Sequence, residues 1–122
     1  MSNKTGLNVC LLLSIAAMIT FFAMADDQST LNWVVGGLCG VASGLLGVAL
    51  PFLNKWRTVN KWIYALASLG IVIGWGSWPV IVATDPSVSP HDPIINITWF
   101  LAIPGGLVQV VYALTAARGE QI

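Results

Sequence analysis

Four long runs of uncharged and mostly apolar residues make up most of the chain, and clusters of charged residues separate them. The runs cover residues 5–25, 28–54, 62–84 and 93–117. Each run is at least as long as the roughly 20 residues that an α-helix needs to cross a hydrocarbon core of about 30 Å. The pattern therefore predicts four transmembrane helices joined by short loops, at about 7–25, 31–53, 62–84 and 94–117.

The composition agrees with this pattern and excludes a water-soluble domain. Hydrophobic residues make up 57% of the chain and charged residues 8%, whereas about 25% of the residues in soluble domains are charged. Five basic and five acidic residues give a formal net charge of zero, and no run of like charge is long enough to bind nucleic acid. We therefore predict a single membrane domain over residues 1–122, with no nucleic-acid partner.

The first run also has the features of a signal peptide. Ala23, Met24 and Ala25 directly precede Asp26, and small residues in this spacing are typical of signal-peptidase sites. The apolar stretch before them is long enough for either interpretation. We interpret the run as the first membrane helix, with cleavage after residue 25 as the alternative.

The basic residues predict how the helices are oriented in the membrane. With four crossings, the N-terminus, the second loop and the C-terminus lie on the same side. These three segments contain every basic residue of the chain, namely Lys4, Lys55, Arg57, Lys61 and Arg118. Because Lys and Arg accumulate in short cytoplasmic loops, we expect an all-α four-helix bundle with both termini in the cytoplasm. A prokaryotic inner or plasma membrane is the expected location.

Glycines at helical spacing give the clearest sign of helix packing. Gly36, Gly40 and Gly44 recur every four residues in the second predicted helix, and Gly47 extends the same face. Helices associate in a bilayer where small residues allow two backbones to approach closely. This strip of small residues therefore predicts a close neighbouring helix.

The neighbour of this strip is either another helix of the same chain or another subunit. The third predicted helix offers Gly70 and Gly74, which repeat the GxxxG spacing, on a face shared with Ala67 and Ser77. Packing of the strip against this face is the expectation within the bundle. A docking face for a second protein is the alternative.

Proline and glycine residues predict that the third and fourth helices are both weakened near the bilayer midplane. Gly74 and Pro104 lie at a similar depth in the third and fourth helices, with Pro79, Gly105 and Gly106 nearby. Paired discontinuous helices expose backbone groups to substrates or ions in transporters, but the same residues also form kinks that neighbouring helices satisfy. Because no Asp, Glu, Lys, Arg or His residue lies within the four predicted helices, we favour simple kinks.

The loop before the fourth helix contains Asp85, His91 and Asp92. His91 is the only histidine, whereas zinc and copper sites use several imidazole or thiolate ligands. We therefore expect no metal site within this chain. The loop is either a docking surface for the extracytoplasmic domain of a neighbour or an ordinary solvated loop.

The sequence contains no complete catalytic or cofactor-binding motif. No Gly-x-Ser-x-Gly element is present, and the serines of the predicted helices have no nearby base in sequence. We expect no enzyme activity and no cofactor of the chain's own. The predicted function is a structural accessory subunit of a larger integral-membrane complex, such as a respiratory, photosynthetic or oxygenase assembly, with membrane lipids and other membrane subunits as partners. A homo-oligomeric channel, holin or small transporter that uses breaks in the third and fourth helices is the alternative.

Overall fold

Four long helices form the whole of the fold that the structure describes. In this computed structural model, residues 2–24, 30–84 and 93–122 are described, and no strand occurs among them. The helices are α1 (Asn3–Met24), α2 (Thr30–Leu53), α3 (Thr58–Thr84) and α4 (Pro93–Ala117). Each of them is long and apolar enough to cross a membrane. The predicted all-α, four-helix architecture is thus confirmed.

Helices α1 and α3 begin about one turn before the positions expected from the uncharged runs. At α1 the hydroxyl of Ser2 accepts a hydrogen bond from the backbone N–H of Thr5 at 3.2 Å, as an N-terminal capping residue does. At α3 the ammonium group of Lys61 lies 5.4 Å from the centre of the Phe52 ring. A charged residue in a first turn therefore did not end the helix, because a long side chain extends away from the apolar segment.

The helices pack in a ring. Each helix contacts the next one in the chain, and the last helix contacts the first. Helix α2 packs between α1 and α3, α3 packs on α4, and α4 closes the ring against α1. The contact between α1 and α4 is the smallest of the four. This seam is consequently the least closed side of the bundle.

Both termini and the connection between α2 and α3 meet at one end of the bundle. The indole N–H of Trp56 donates to the side-chain oxygen of Asn3 at 2.8 Å. The backbone N–H of Arg57 and the side-chain amide of Asn60 both donate to the carbonyl oxygen of Ile122, at 3.0 and 3.1 Å. All five basic residues belong to these segments, so we call this end the basic end.

Two apolar clusters fill the interior, one at the basic end and one in the opposite half. The first consists of Leu7, Leu50, Trp56, Tyr64, Ala113 and Ile122. The second consists of Ala17, Ile71, Trp75 and Ala102. Large apolar side chains also cover the outside of every helix, among them Leu12, Ile19, Leu38, Leu45, Leu66, Val80, Phe100 and Leu107. A surface that is apolar on all sides suits lipid rather than water.

Candidate functional site

The glycine strip of α2 is occupied by other helices of the same chain. A Cβ atom on Gly40 would overlap the ring of Trp75, and one on Gly47 would overlap the hydroxyl of Ser68. At Gly44 an added Cβ would lie 2.7 Å from a backbone carbonyl oxygen of α3. Gly36 instead faces α1, where the methyl group of Thr20 would lie 3.4 Å from an added Cβ. The strip thus brings α2 into close contact with both of its neighbours.

The face of α3 that packs on this strip differs from the expected one. Gly70 and Gly74 face α4, and a Cβ on them would lie 3.0 Å from the Leu101 carbonyl oxygen and 2.9 Å from the Thr98 carbonyl oxygen, respectively. Gly105 of α4 packs against the same face of α3. The expectation that two small-residue faces pair was wrong for α2 and α3, because a strip without side chains also accommodates a bulky indole ring.

The proline and glycine residues near mid-depth do not interrupt their helices. Helix α3 continues through Gly74 and Pro79, and α4 continues through Pro104 and Gly105. The Pro79 ring packs on α2, where a Cβ on Gly37 would lie 3.1 Å from it. Gly74, Pro79 and Gly105 make close contacts with neighbouring helices, whereas Pro104 lies on the exposed side of α4.

Three buried polar side chains from three helices form a cluster near the middle of the bundle. The hydroxyl of Ser14 on α1 donates to Oε1 of Gln109 on α4 at 2.6 Å. The Nε2 group of Gln109 donates to the hydroxyl oxygen of Ser43 on α2 at 2.9 Å, and Ser43 donates to the Cys10 carbonyl oxygen at 2.7 Å. We call Ser14, Ser43 and Gln109 the polar centre. It joins α2 to α4 across the diagonal of the bundle.

The hydrogen bonds of the polar centre hold helices together and do not activate a nucleophile. An amide side chain neither accepts a proton from a hydroxyl group nor supplies one at neutral pH, so Gln109 does not activate Ser14 or Ser43 as a nucleophile. Its hydrogen bonds instead satisfy groups that are costly to bury alone. On α3, the hydroxyl groups of Tyr64 and Ser68 are buried without a hydrogen-bond partner among the described residues. No pattern in the sequence singles out Tyr64.

An opening between α1 and α4 leads from the outer surface towards the interior. Ser14 and Met18 bound it on α1, and Gly106 and Val110 bound it on α4. Behind it lies a cavity of about 160 Å³, whose inner wall includes Trp75. We call this opening the lateral window. The opening lies where Gly106 has no side chain, and a Cβ atom added to Gly106 would meet no atom within 4 Å.

The seam between α1 and α4 is closed on both sides of the lateral window. Towards the basic end, Leu7 of α1 and Ala113 of α4 belong to the same buried cluster. Towards the opposite end, the rings of Phe21 and Trp99 contact each other edge to face, with centroids 4.5 Å apart. The gap is therefore confined to the middle of the helices.

The predicted docking loop lies outside the described residues. Asp85, His91 and Asp92 all belong to the range 85–92, which the structure does not describe. In the part of the chain that it does describe, no group of three His, Cys, Asp or Glu residues is placed to hold a metal ion.

Comparisons with known proteins give no relative for this chain. No protein-family model matches it, and neither a curated protein nor a solved structure does. The helices, the polar centre and the lateral window are therefore the basis for a functional proposal.

Proposed function

We propose that this chain is a non-catalytic accessory subunit of an integral-membrane complex. One observation carries the proposal: the side chains of the polar centre pair with each other inside the bundle, while its outer surface is apolar on every helix. Such a molecule offers neighbours a preformed apolar surface. Its role is to pack beside larger subunits and to stabilise them.

Membrane insertion is the first part of this proposal. In a bilayer every backbone polar group has to be satisfied internally, and four continuous helices meet this requirement. All five basic residues lie at one end of the bundle, and by the positive-inside rule that end faces the cytoplasm. Both termini then lie in the cytoplasm, and the loops with Asp26 and with His91 lie on the other side.

The self-contained packing of the bundle supports a subunit role. Apart from Gly106, the glycines within α2, α3 and α4 face helices of the same chain. Partners must therefore contact large apolar side chains such as Phe100 of α4, which is 77% exposed. Contacts of this kind suit the periphery of a complex, where a small subunit fills space beside a catalytic neighbour.

The alternative of a channel or small transporter has less support. It depended on breaks at Gly74 and Pro104, and both helices are continuous there. Within the described residues, apolar clusters fill the interior on both sides of the polar centre. No described feature of the bundle favours a pore through it.

Site-directed photocrosslinking in the native membrane tests the proposal. A photoreactive residue is placed at one exposed position of each helix, namely Leu12, Leu38, Leu66 and Phe100. We expect at least one of these positions to crosslink to a larger membrane polypeptide. The buried Ile71 is the matched control and should crosslink only within the chain.

Purification in mild detergent provides the second measurement. Co-migration of the unmodified chain with that larger polypeptide would support the subunit role. A ring that contains only copies of this chain, with no crosslink to any other protein, would overturn it.

A further inference from the structure

We propose that the lateral window between α1 and α4 binds one hydrocarbon chain of a membrane lipid. The proposal rests on membrane insertion as argued above, but it does not depend on whether the protein is a subunit of a complex. The site consists of the cavity behind the window and of the groove that continues it along the outside of α1.

The length of this groove matches the depth of one membrane leaflet. The groove has a volume of about 320 Å³ and runs along α1 from Leu11 to Phe22. At 1.5 Å per residue these positions are about 16 Å apart along the helix axis. One leaflet contributes about 15 Å of a hydrocarbon core that is about 30 Å thick. A chain that enters beside Phe22, from the leaflet opposite the basic end, therefore reaches the window at Ser14.

The side chains around the window favour a single hydrocarbon chain over a helix as its occupant. A helix with its side chains is about 10–12 Å across, and helices pack closely in membranes through strips of small residues. Here the small residues that α4 contributes to the lining are Gly106 and the buried Ala102, and the large side chains of Ile103, Leu107 and Val110 surround Gly106. A flexible chain fits such a gap, whereas a helix would be held away from it.

The chemistry of the walls favours hydrocarbon over a polar group. Among the described residues that bound the opening, Ser14 alone has a polar side chain, and its hydroxyl hydrogen is already donated to Gln109. The other residues that bound the window present alkyl or thioether surface. A hydrocarbon chain in this position would also extend the smallest helix contact of the bundle, that between α1 and α4.

Trp75 provides an internal reporter for the site. Its side chain forms part of the inner wall of the cavity and is only 6% exposed. The full-length protein is reconstituted in phosphatidylcholine vesicles with and without phosphatidylcholine that is brominated in the middle of its acyl chains. Bromine quenches tryptophan emission at short range, and the Trp75 contribution is the difference between the unmodified protein and Trp75→Phe. We expect strong quenching of Trp75 despite its burial.

Two substitutions fill the window from opposite sides. Gly106→Phe adds a ring from α4, where an added Cβ meets no other atom, and Met18→Phe adds one from α1. Val111→Phe is the matched control, because it places the same ring on the exposed face of α4 away from the window. Either filling variant should abolish most of the Trp75 quenching, while the control should retain it. Native mass spectrometry should show one lipid bound to the unmodified and control proteins, and none to the filled ones.

The outcomes distinguish failure of the lipid-site proposal from failure of the membrane-insertion proposal. Absence of Trp75 quenching in the inserted, unmodified protein would overturn the lipid site alone, as would quenching that both filling variants leave unchanged. If Gly106→Phe does not fold, Met18→Phe gives the same test. A dimer that Gly106→Phe converts to a monomer would mean that a second copy covers the window, and would also overturn the site. Failure of the unmodified protein to insert would overturn the membrane proposal as well.

Discussion

A series of glycine-to-alanine substitutions measures how closely α2 approaches α3. The three positions are Gly44, Gly36 and Gly106, and each substitution adds the same methyl group inside a helix. At Gly44 the new Cβ would lie 2.7 Å from the Ser68 carbonyl oxygen and 2.9 Å from the Val72 backbone nitrogen. Backbone atoms cannot rotate away, so the two helices have to separate.

The expected free energies follow from these distances. Replacement of Gly by Ala inside a helix stabilises it by about 0.5–1 kcal/mol, and all three variants share this gain. Overpacking of a close contact costs about 1–3 kcal/mol, and only Gly44→Ala incurs this cost. At Gly36 the nearest atom would be 3.4 Å away, and at Gly106 none lies within 4 Å. Gly44→Ala should therefore be less stable than Gly106→Ala by about 1–3 kcal/mol, and Gly36→Ala should resemble Gly106→Ala.

The assay is reversible unfolding in detergent micelles, followed by helical circular dichroism and tryptophan emission. Insertion yield is measured alongside unfolding. We expect it to be unchanged, because all three variants remain apolar enough to insert normally. Equal stability of Gly44→Ala and Gly106→Ala would refute the reasoning. In that case the strip of α2 would face lipid rather than the backbone of α3.

Three further predictions concern the polar centre, the α2–α3 connection and the outer loop. Gln109→Leu removes the hydrogen bonds to Ser14 and Ser43 and should lower the unfolding free energy by about 1–4 kcal/mol in the same assay, since interhelical hydrogen bonds in membranes contribute about 0.6–2 kcal/mol each; an unchanged value would contradict the geometry. Lys55 has a φ of 53°, so Lys55→Gly should relieve roughly 1 kcal/mol of left-handed backbone strain, and a loss of stability would argue against this conformation. His91→Ala and Asp92→Asn should leave insertion yield and metal content unchanged; stoichiometric metal that His91→Ala releases would show that the loop holds a site.

The number and approximate positions of the helices could be predicted because charge is excluded from membrane-spanning segments. The four uncharged runs therefore identified α1 to α4 directly. The beginnings of α1 and α3 were predicted about one turn too late, because Lys4 and Lys61 lie in first turns. The capping side chain of Ser2 was a readable signal for the earlier start of α1.

The helix contacts could be predicted only in part, because they depend on how each helix is rotated. The spacing of Gly40 and Gly44 indicated a close neighbour but not that the Trp75 ring would fill the space. Ser14 and Gln109 are visible in the sequence as polar residues within apolar runs, whereas their meeting near the centre follows from the packing of three helices. Gly106 suggested a break in α4, but the helix is continuous and the missing side chain leaves the lateral window instead.

Accessibility of single cysteines tests the central claim, a four-helix membrane bundle whose basic end faces the cytoplasm. Cys10 and Cys39 are first replaced by Ala, and one cysteine is then introduced at Ser29, at Ser87 or at Thr58. Sealed right-side-out vesicles are treated with a membrane-impermeant thiol reagent. The account predicts labelling at residues 29 and 87, which follow α1 and α3, and none at residue 58 until the vesicles are opened. Labelling at residue 58 in sealed vesicles, or equal labelling at all three positions, would contradict it.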